Sequence, residues 1–183
     1  MAYQNKLVQN KITGQNIRFL QTAADTNGQL LEMESTYRAH SKEPTAHYHP
    51  YQEEDFEILA GELTVQLDGQ LKILKKGDKL HVPANTVHAM WNASNGETVI
   101  NWQVRPAMDT EQLLETANGL ASDGKVKATG MPPLLQTALM ANHFSNVFRI
   151  AKPPFAVQKI LFTLLTPFAY LAGYKPTYKK YLD

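Results

Sequence analysis

The sequence predicts a mainly β chain, a sandwich or barrel of short strands over residues 1–108, followed by a helical extension over residues 109–183. Three observations carry this. Between residue 17 and about residue 105, short apolar runs recur with turn clusters between them, the spacing of a sandwich or barrel rather than of alternating βα units. After Pro106 the apolar period lengthens from two residues to that of a helix. Charge divides nearby: residues 1–124 hold 10 Lys and Arg against 16 Asp and Glu, whereas residues 125–183 hold 8 against the single Asp183.

Taken in order, Ile17 to Gln21 and Leu30 to Arg38 flank the turn cluster Asp25-Thr26-Asn27-Gly28 and form a predicted hairpin. Glu62 to Asp68 alternates strictly, with Leu63, Val65 and Leu67 on one face, the period of a half-buried strand. Gly69 turns that strand into Leu71 to Leu74, and Gly77-Asp78 makes the next turn. Leu80 to Val82, Val87 to Asn92 and Thr98 to Val104 complete the strands.

In the extension, Asp109-Thr110-Glu111-Gln112 offers a capping arrangement for a helix that Gly119 would end. Pro132-Pro133 opens a second helix, predicted to run to about Phe148. A third is predicted from Pro154 to Gly173. Its uncharged stretch, Ile160 to Gly173, has 14 residues and contains Pro167, too short for a membrane span. It reads as a helix packed on the barrel or on a partner subunit. The alternative is an interfacial helix, because Lys152, Lys159, Lys175, Lys179 and Lys180 flank it.

The composition excludes several classes of function. The chain has 183 residues, a formal charge of +1, six His and no Cys, so disulfides, thiolate nucleophiles and Cys-ligated zinc or iron-sulfur sites are ruled out. At 43% hydrophobic and 19% charged it is a globular composition. The N-terminal stretch MAYQNKLVQNKITG lacks an apolar targeting core, and a cytoplasmic location is expected. Nucleic-acid binding is not expected of an acidic β part followed by an apolar, helical basic segment.

Four of the six histidines lie between His47 and His88. His47 and His49 share one face of a strand, where their rings can close on one ion. A turn through Pro50 to Gln52 resets the register, so that Glu54, Phe56 and Ile58 face inward and Asp55 and Glu57 face solvent. His88 comes from another strand. By itself an HxH pair reads as surface or hydrogen-bonded histidines more readily than as metal ligands.

The segment HYHPYQEEDFEILAG (His47 to Gly61), followed after 15 residues by GDKLHVPANTVHAMWN (Gly77 to Asn92), resembles the paired signature motifs of the cupin superfamily, single-barrel type. The resemblance covers roughly residues 25–106 and implies a jelly-roll β-barrel. Position by position, it implies His47, His49, Glu54 and His88 as metal ligands and Gly61, Gly77, Pro83 and Asn92 as structural residues. Ser41 and Asn85 stand where the family pattern has Gly; Asn tolerates positive φ and can make the same turn. Glu53 satisfies the shorter spacing the motif allows and is the alternative ligand, or a supporting partner or general base. His40, His81 and His143 receive no role.

Three neutral imidazoles and a carboxylate suit one divalent transition metal, iron(II), manganese, nickel, copper or zinc, and leave two positions of an octahedral ion open to substrate. The expected function is a metal-dependent, dioxygenase-like oxidoreductase acting on a small organic molecule inside the barrel. The alternatives are a non-catalytic small-molecule or sugar-binding barrel and a metal-dependent isomerase. Phosphorylated ligands are disfavoured, because no Lys or Arg stands between Lys42 and Lys72. Tyr48, Phe56, Met90, Trp91 and Trp102 are candidate pocket walls. The resemblance also implies a homodimer.

Overall fold

A computed structural model describes residues 2–127 and 129–182. The strands are β1 (Leu7–Asn10), β2 (Gln15–Gln21), β3 (Leu31–Tyr37), β4 (His47–Tyr48), β5 (Glu53–Ala60), β6 (Glu62–Leu67), β7 (Gln70–Lys75), β8 (Lys79–Val82), β9 (His88–Trp91) and β10 (Thr98–Arg105). Helices α1 (Thr110–Ser122) and α2 (Leu134–His143) follow, then β11 (Arg149–Ile150), α3 (Phe155–Leu171) and α4 (Lys179–Leu182).

Two antiparallel sheets face each other. One runs β1-β2-β3-β10-β5-β8 and the other β11-β4-β9-β6-β7, so neighbours in space are seldom neighbours in sequence, the mark of a jelly roll. Alternation sets which side chains fill the interior: in β5, Glu54, Phe56 and Ile58 are buried, and Asp55 and Glu57 are half-exposed. Tyr37, Phe56, Ile58, Leu63, Val65, Val82, Met90 and Ile100 form the core between the sheets. Ile17, Phe19, Leu31, Met33, Val104 and Ala107 form a second cluster, against which Leu114 of α1 packs.

Two tight turns hold the barrel in register. Gly61, between β5 and β6, has φ of 76°, and a Cβ there would lie 2.3 Å from the Glu97 carbonyl oxygen, so only glycine fits. Asn85 takes φ of 66° as expected, and its backbone N–H donates to the His49 carbonyl at 2.8 Å. Ser41, the other departure from the family pattern, is buried and bonds Asn92 twice. Its N–H donates to the Asn92 carbonyl at 2.9 Å, and its Oγ accepts the Asn92 N–H at 2.8 Å.

The helices differ from expectation in three ways. Asp109 makes no side-chain cap on α1, and Glu111 instead accepts the Ala23 backbone N–H. α1 continues through Gly119 to Ser122, because Gly119 is a close-approach residue: a Cβ there would lie 2.4 Å from the Tyr181 ring. α2 ends at His143 rather than Phe148, since the chain turns through Ser145 and Asn146 and extends as β11 to pair with β4. Leu120, Met140, Phe144 and Val147 form the core of this helical part. Among the described residues no helix is long and apolar enough to cross a membrane.

Candidate metal centre

Short strands and one turn bring the four expected residues together. β4 and β9 pair with His47 directly opposite His88, which places both imidazoles on the inner face. His49 follows two residues after His47, and Pro50 to Gln52 turns the chain into β5 so that Glu54 also points inward. The Gln52 amide anchors this turn by donating to the carbonyls of Pro106 and Ala107 at 2.8 and 3.1 Å and to Thr110 Oγ1 at 2.7 Å.

One ring nitrogen from each of His47, His49 and His88 lies within 4.8 Å of the others. Glu54, 1% exposed, sets its carboxylate oxygens 3.4 Å from Nε2 of His49 and 2.9 Å from Nε2 of His88. In each imidazole Nδ1 faces a backbone carbonyl: Thr45 at 3.1 Å for His47, Val147 at 2.6 Å for His49 and Thr86 at 3.0 Å for His88. A carbonyl only accepts, so Nδ1 carries the proton, and in the neutral rings Nε2 keeps its lone pair. Nε2 of His49 is buried without a hydrogen bond, while Oε2 of Glu54 faces Nε2 of His88. Opposed lone pairs in a buried site call for a cation between them, and three imidazoles with one carboxylate are a donor set for a divalent transition ion.

Electrostatics agree with this arrangement. Burial would push the Glu54 carboxyl up, but the imidazoles of His49 and His88 outweigh it and hold the group down at about 2. Desolvation and the neighbouring His88 and His49 lower His47 to about 3, so it stays neutral. For His88 burial works downward, yet the Glu54 carboxylate prevails and raises it.

Glu53, the alternative ligand or base, is exposed and one residue out of phase with Glu54, on the outer face of the sheet. It does not join the cluster. His81 is also on the outside, its Nδ1 2.8 Å from Asp55, which Arg105 also contacts at 2.9 Å. His40 lies in a turn at φ of 51°, and His143 packs edge-on against Phe144.

Three features of the site were not expected from sequence. Trp102, on β10, donates its indole N–H to Oε1 of Glu54 at 2.9 Å. The ring of Phe148 stacks on His47 with centroids 4.6 Å apart. The Val147 carbonyl orients His49. The last two come from the segment between α2 and β11, far beyond the barrel strands in sequence.

The cluster opens on a cavity of about 310 Å³. Phe56, Met90 and Trp102 line it from the barrel, whereas Tyr48 and Trp91 do not. Leu113, Leu114 and Ala117 of α1, Met140 of α2, and Phe144 and Phe148 close it from the other side. Its rim holds Lys42 beside Glu43, and among the described residues no other Lys or Arg lines it.

The Trp102 contact is testable. Trp102→Phe keeps the apolar wall and removes the donor, and metal affinity should fall about tenfold, the scale for losing a group that orients a ligand. Equilibrium metal titration of the two proteins checks this; equal affinities would leave Trp102 with a packing role alone.

An antiparallel jelly roll with three histidines and a glutamate converging inside, beside a largely apolar cavity, defines a single-barrel protein with a candidate metal centre. The chain belongs to the cupin superfamily: the Cupin domain model matches residues 33–104. It is 30% identical over 151 residues to the "Probable oxidoreductase virH" of Hypocrea virens, covering 75% of this chain and 67% of that protein. It is 39% identical over 79 residues to a quercetin 2,3-dioxygenase of Bacillus subtilis, covering 43% of this chain but only 23% of that enzyme's length. Among solved structures, KdgF from Halomonas sp. superposes with a TM-score of 0.50 at 16% identity, over 61% of this chain and 99% of that one. An RmlC-like cupin from Shewanella frigidimarina gives 0.50 at 20% identity, over 61% and 92%. At such identities the likeness to these structures is one of fold.

Proposed function

We propose that the protein is a metal-dependent, dioxygenase-like oxidoreductase that acts on a small, largely apolar, unphosphorylated molecule inside the barrel. The observation that carries this is the convergence of His47, His49 and His88, with Glu54 against the last two, at the wall of a mostly apolar cavity of about 310 Å³. Such a volume lies at the lower end of small-molecule pockets. Similarity to a quercetin dioxygenase and to an oxidoreductase supports the reaction class.

In this reading the four residues hold one divalent ion, iron(II), manganese, nickel, copper or zinc. A redox-active ion supplies one-electron chemistry toward dioxygen and a bound substrate oxygen, and zinc supplies Lewis acidity. The chain contributes the rest. Carbonyls of Thr45, Val147 and Thr86 fix the tautomers, Trp102 holds the carboxylate, and the helical wall excludes water. A cytoplasmic homodimer remains our expectation for the assembly.

The reading is tested by loading the protein with each ion in turn, verifying occupancy, and following oxygen consumption with flavonols, catechols and 2-oxo compounds. Oxygen uptake stoichiometric with product is expected for at least one metal and substrate class. Tight ligand binding without turnover at any occupied metal would instead make it a binding protein.

Metal binding should also depend on pH in a defined sense. His88 is raised, so its charged form, paired with Glu54, stabilises the metal-free protein below about 6.5, its ordinary value, and that contribution is lost as pH rises through the raised value. Glu54 is lowered, so its contribution is present above its ordinary range and disappears only as pH falls toward about 2. An incoming ion must displace the His88 proton. Apparent affinity should therefore drop about tenfold per pH unit below the His88 value and level off above it. Calorimetry in buffers of different ionisation enthalpy reads the released proton directly; a pH-independent affinity would contradict the pairing.

A further inference from the structure

α3 presents two dissimilar faces. Gln158, Phe162 and Ala169 are buried, and Asn142 on α2 donates to Thr166 at 2.9 Å, so this side is fixed to the protein. The Gln158 amide ties the start of the helix to the carbonyls of Ile150 and Pro153 at 2.8 and 2.5 Å. On the opposite side Val157, Ile160, Leu161, Leu164, Phe168 and Leu171 are 43–86% exposed. Five of them, at 157, 161, 164, 168 and 171, follow the alternating four- and three-residue spacing of a continuous apolar stripe. A contiguous stripe of six large apolar side chains exceeds what a soluble surface usually carries and marks an interaction site.

Charge identifies the occupant. Residues 125–182 contain eight Lys and Arg and no Asp or Glu. Lys152 precedes the helix, Lys159 lies on its flank, and Lys175 and Lys179 follow it, all four exposed. We propose that this face of α3 rests on an anionic lipid surface, the apolar stripe entering the acyl boundary and the lysines meeting the headgroups. Tyr170, 55% exposed, and Tyr174 suit the headgroup level at the C-terminal end. A second copy of the chain fits this face poorly, since pairing would oppose two cationic segments with no carboxylate between residues 125 and 182 to offset them. At 17 residues α3 lies along the surface and does not cross it. The inference is independent of the metal reading.

The test is co-sedimentation of the full chain with vesicles of phosphatidylcholine alone and of phosphatidylcholine with about one third phosphatidylglycerol. Binding to the anionic vesicles should be at least about tenfold stronger and should weaken as salt is raised. Leu164→Glu with Phe168→Glu should abolish it while leaving the melting temperature unchanged, because both side chains point to solvent. Lys152→Gln, Lys159→Gln and Lys175→Gln together should reduce binding to the level of neutral vesicles, and they keep the test sharp if the Glu variant loses its fold. No sedimentation with anionic vesicles at low salt overturns the proposal. So does a dimer in light scattering that Leu164→Glu with Phe168→Glu disperses in a protein that ignores vesicles, an outcome that would give the face to a second copy.

Discussion

His47→Ala combined with His88→Ala will abolish stoichiometric binding of a divalent transition metal. The two imidazoles stand opposite each other across the β4–β9 pair, so the double change removes two of three nitrogens and leaves only His49 and Glu54, 3.4 Å apart. If four ligands share a binding free energy of about 10–16 kcal/mol, two carry about 5–8 kcal/mol, and affinity should fall by at least about a thousandfold. The metal-to-protein ratio after dialysis reads the loss. One complication is built into the site: without His88, the Glu54 carboxylate keeps only the Trp102 N–H at 2.9 Å and His49 as partners in a buried position. An unpaired buried charge can cost about 3–5 kcal/mol. Adding Glu54→Gln removes that charge at nearly constant volume, so the triple variant should melt closer to the parent and still bind no metal. Parental affinity in either variant would remove the four-residue centre.

The pattern of legibility follows the range of the interactions. The shared face of His47 and His49 and the inward phase of Glu54 follow from strand alternation, which is local: two residues apart means one face, and a proline turn resets the phase. His88, on another strand, enters only through the resemblance to the cupin motif. The inward set of β5 and the hairpin of β2 with β3 follow from the same period. Trp102 left a weaker trace, since a buried indole N–H needs an acceptor, but nothing local said that Glu54 on the adjacent strand would be it. What was not readable is the pairing of β11 with β4, which joins residues about a hundred positions apart. The residues from Ser145 to Phe148 read as the end of a helix because the strand they lead into, Arg149–Ile150, finds its partner in Tyr48 and His47, which leaves no mark on the local pattern. Gly119 misled for a related reason. A glycine required by a close neighbour, here Tyr181, is indistinguishable in sequence from one that ends a helix. Apart from the Trp102 contact, the part of the site that escaped is the part supplied from outside the matched residues 33–104.

Phe144→Ala will be the more damaging of two substitutions that probe this outer part, and Phe148→Ala the more informative. Phe144 is 2% exposed and packs with Leu120, Met140 and Val147, so truncation leaves a cavity costing about 3–5 kcal/mol. In a chain of this size that lowers the melting temperature by about 10 °C. The same change loosens the segment that holds the Val147 carbonyl 2.6 Å from Nδ1 of His49, so metal affinity should fall with stability. Phe148 is half-buried and stacks on His47, and its loss should cost only about 1–2 kcal/mol. Metal affinity should nevertheless drop severalfold, because the ring fixes the plane of a ligand. Phe144→Leu, which refills most of the volume, should recover both properties. Thermal melts and metal titrations on the three variants separate the effects. If Phe144→Ala melts early yet binds metal as the parent does, the helical segment merely clads the barrel. If affinity falls in Phe148→Ala without a matching loss of stability, the segment belongs to the centre, and the metal-binding unit extends beyond the barrel motif into the chain that follows it.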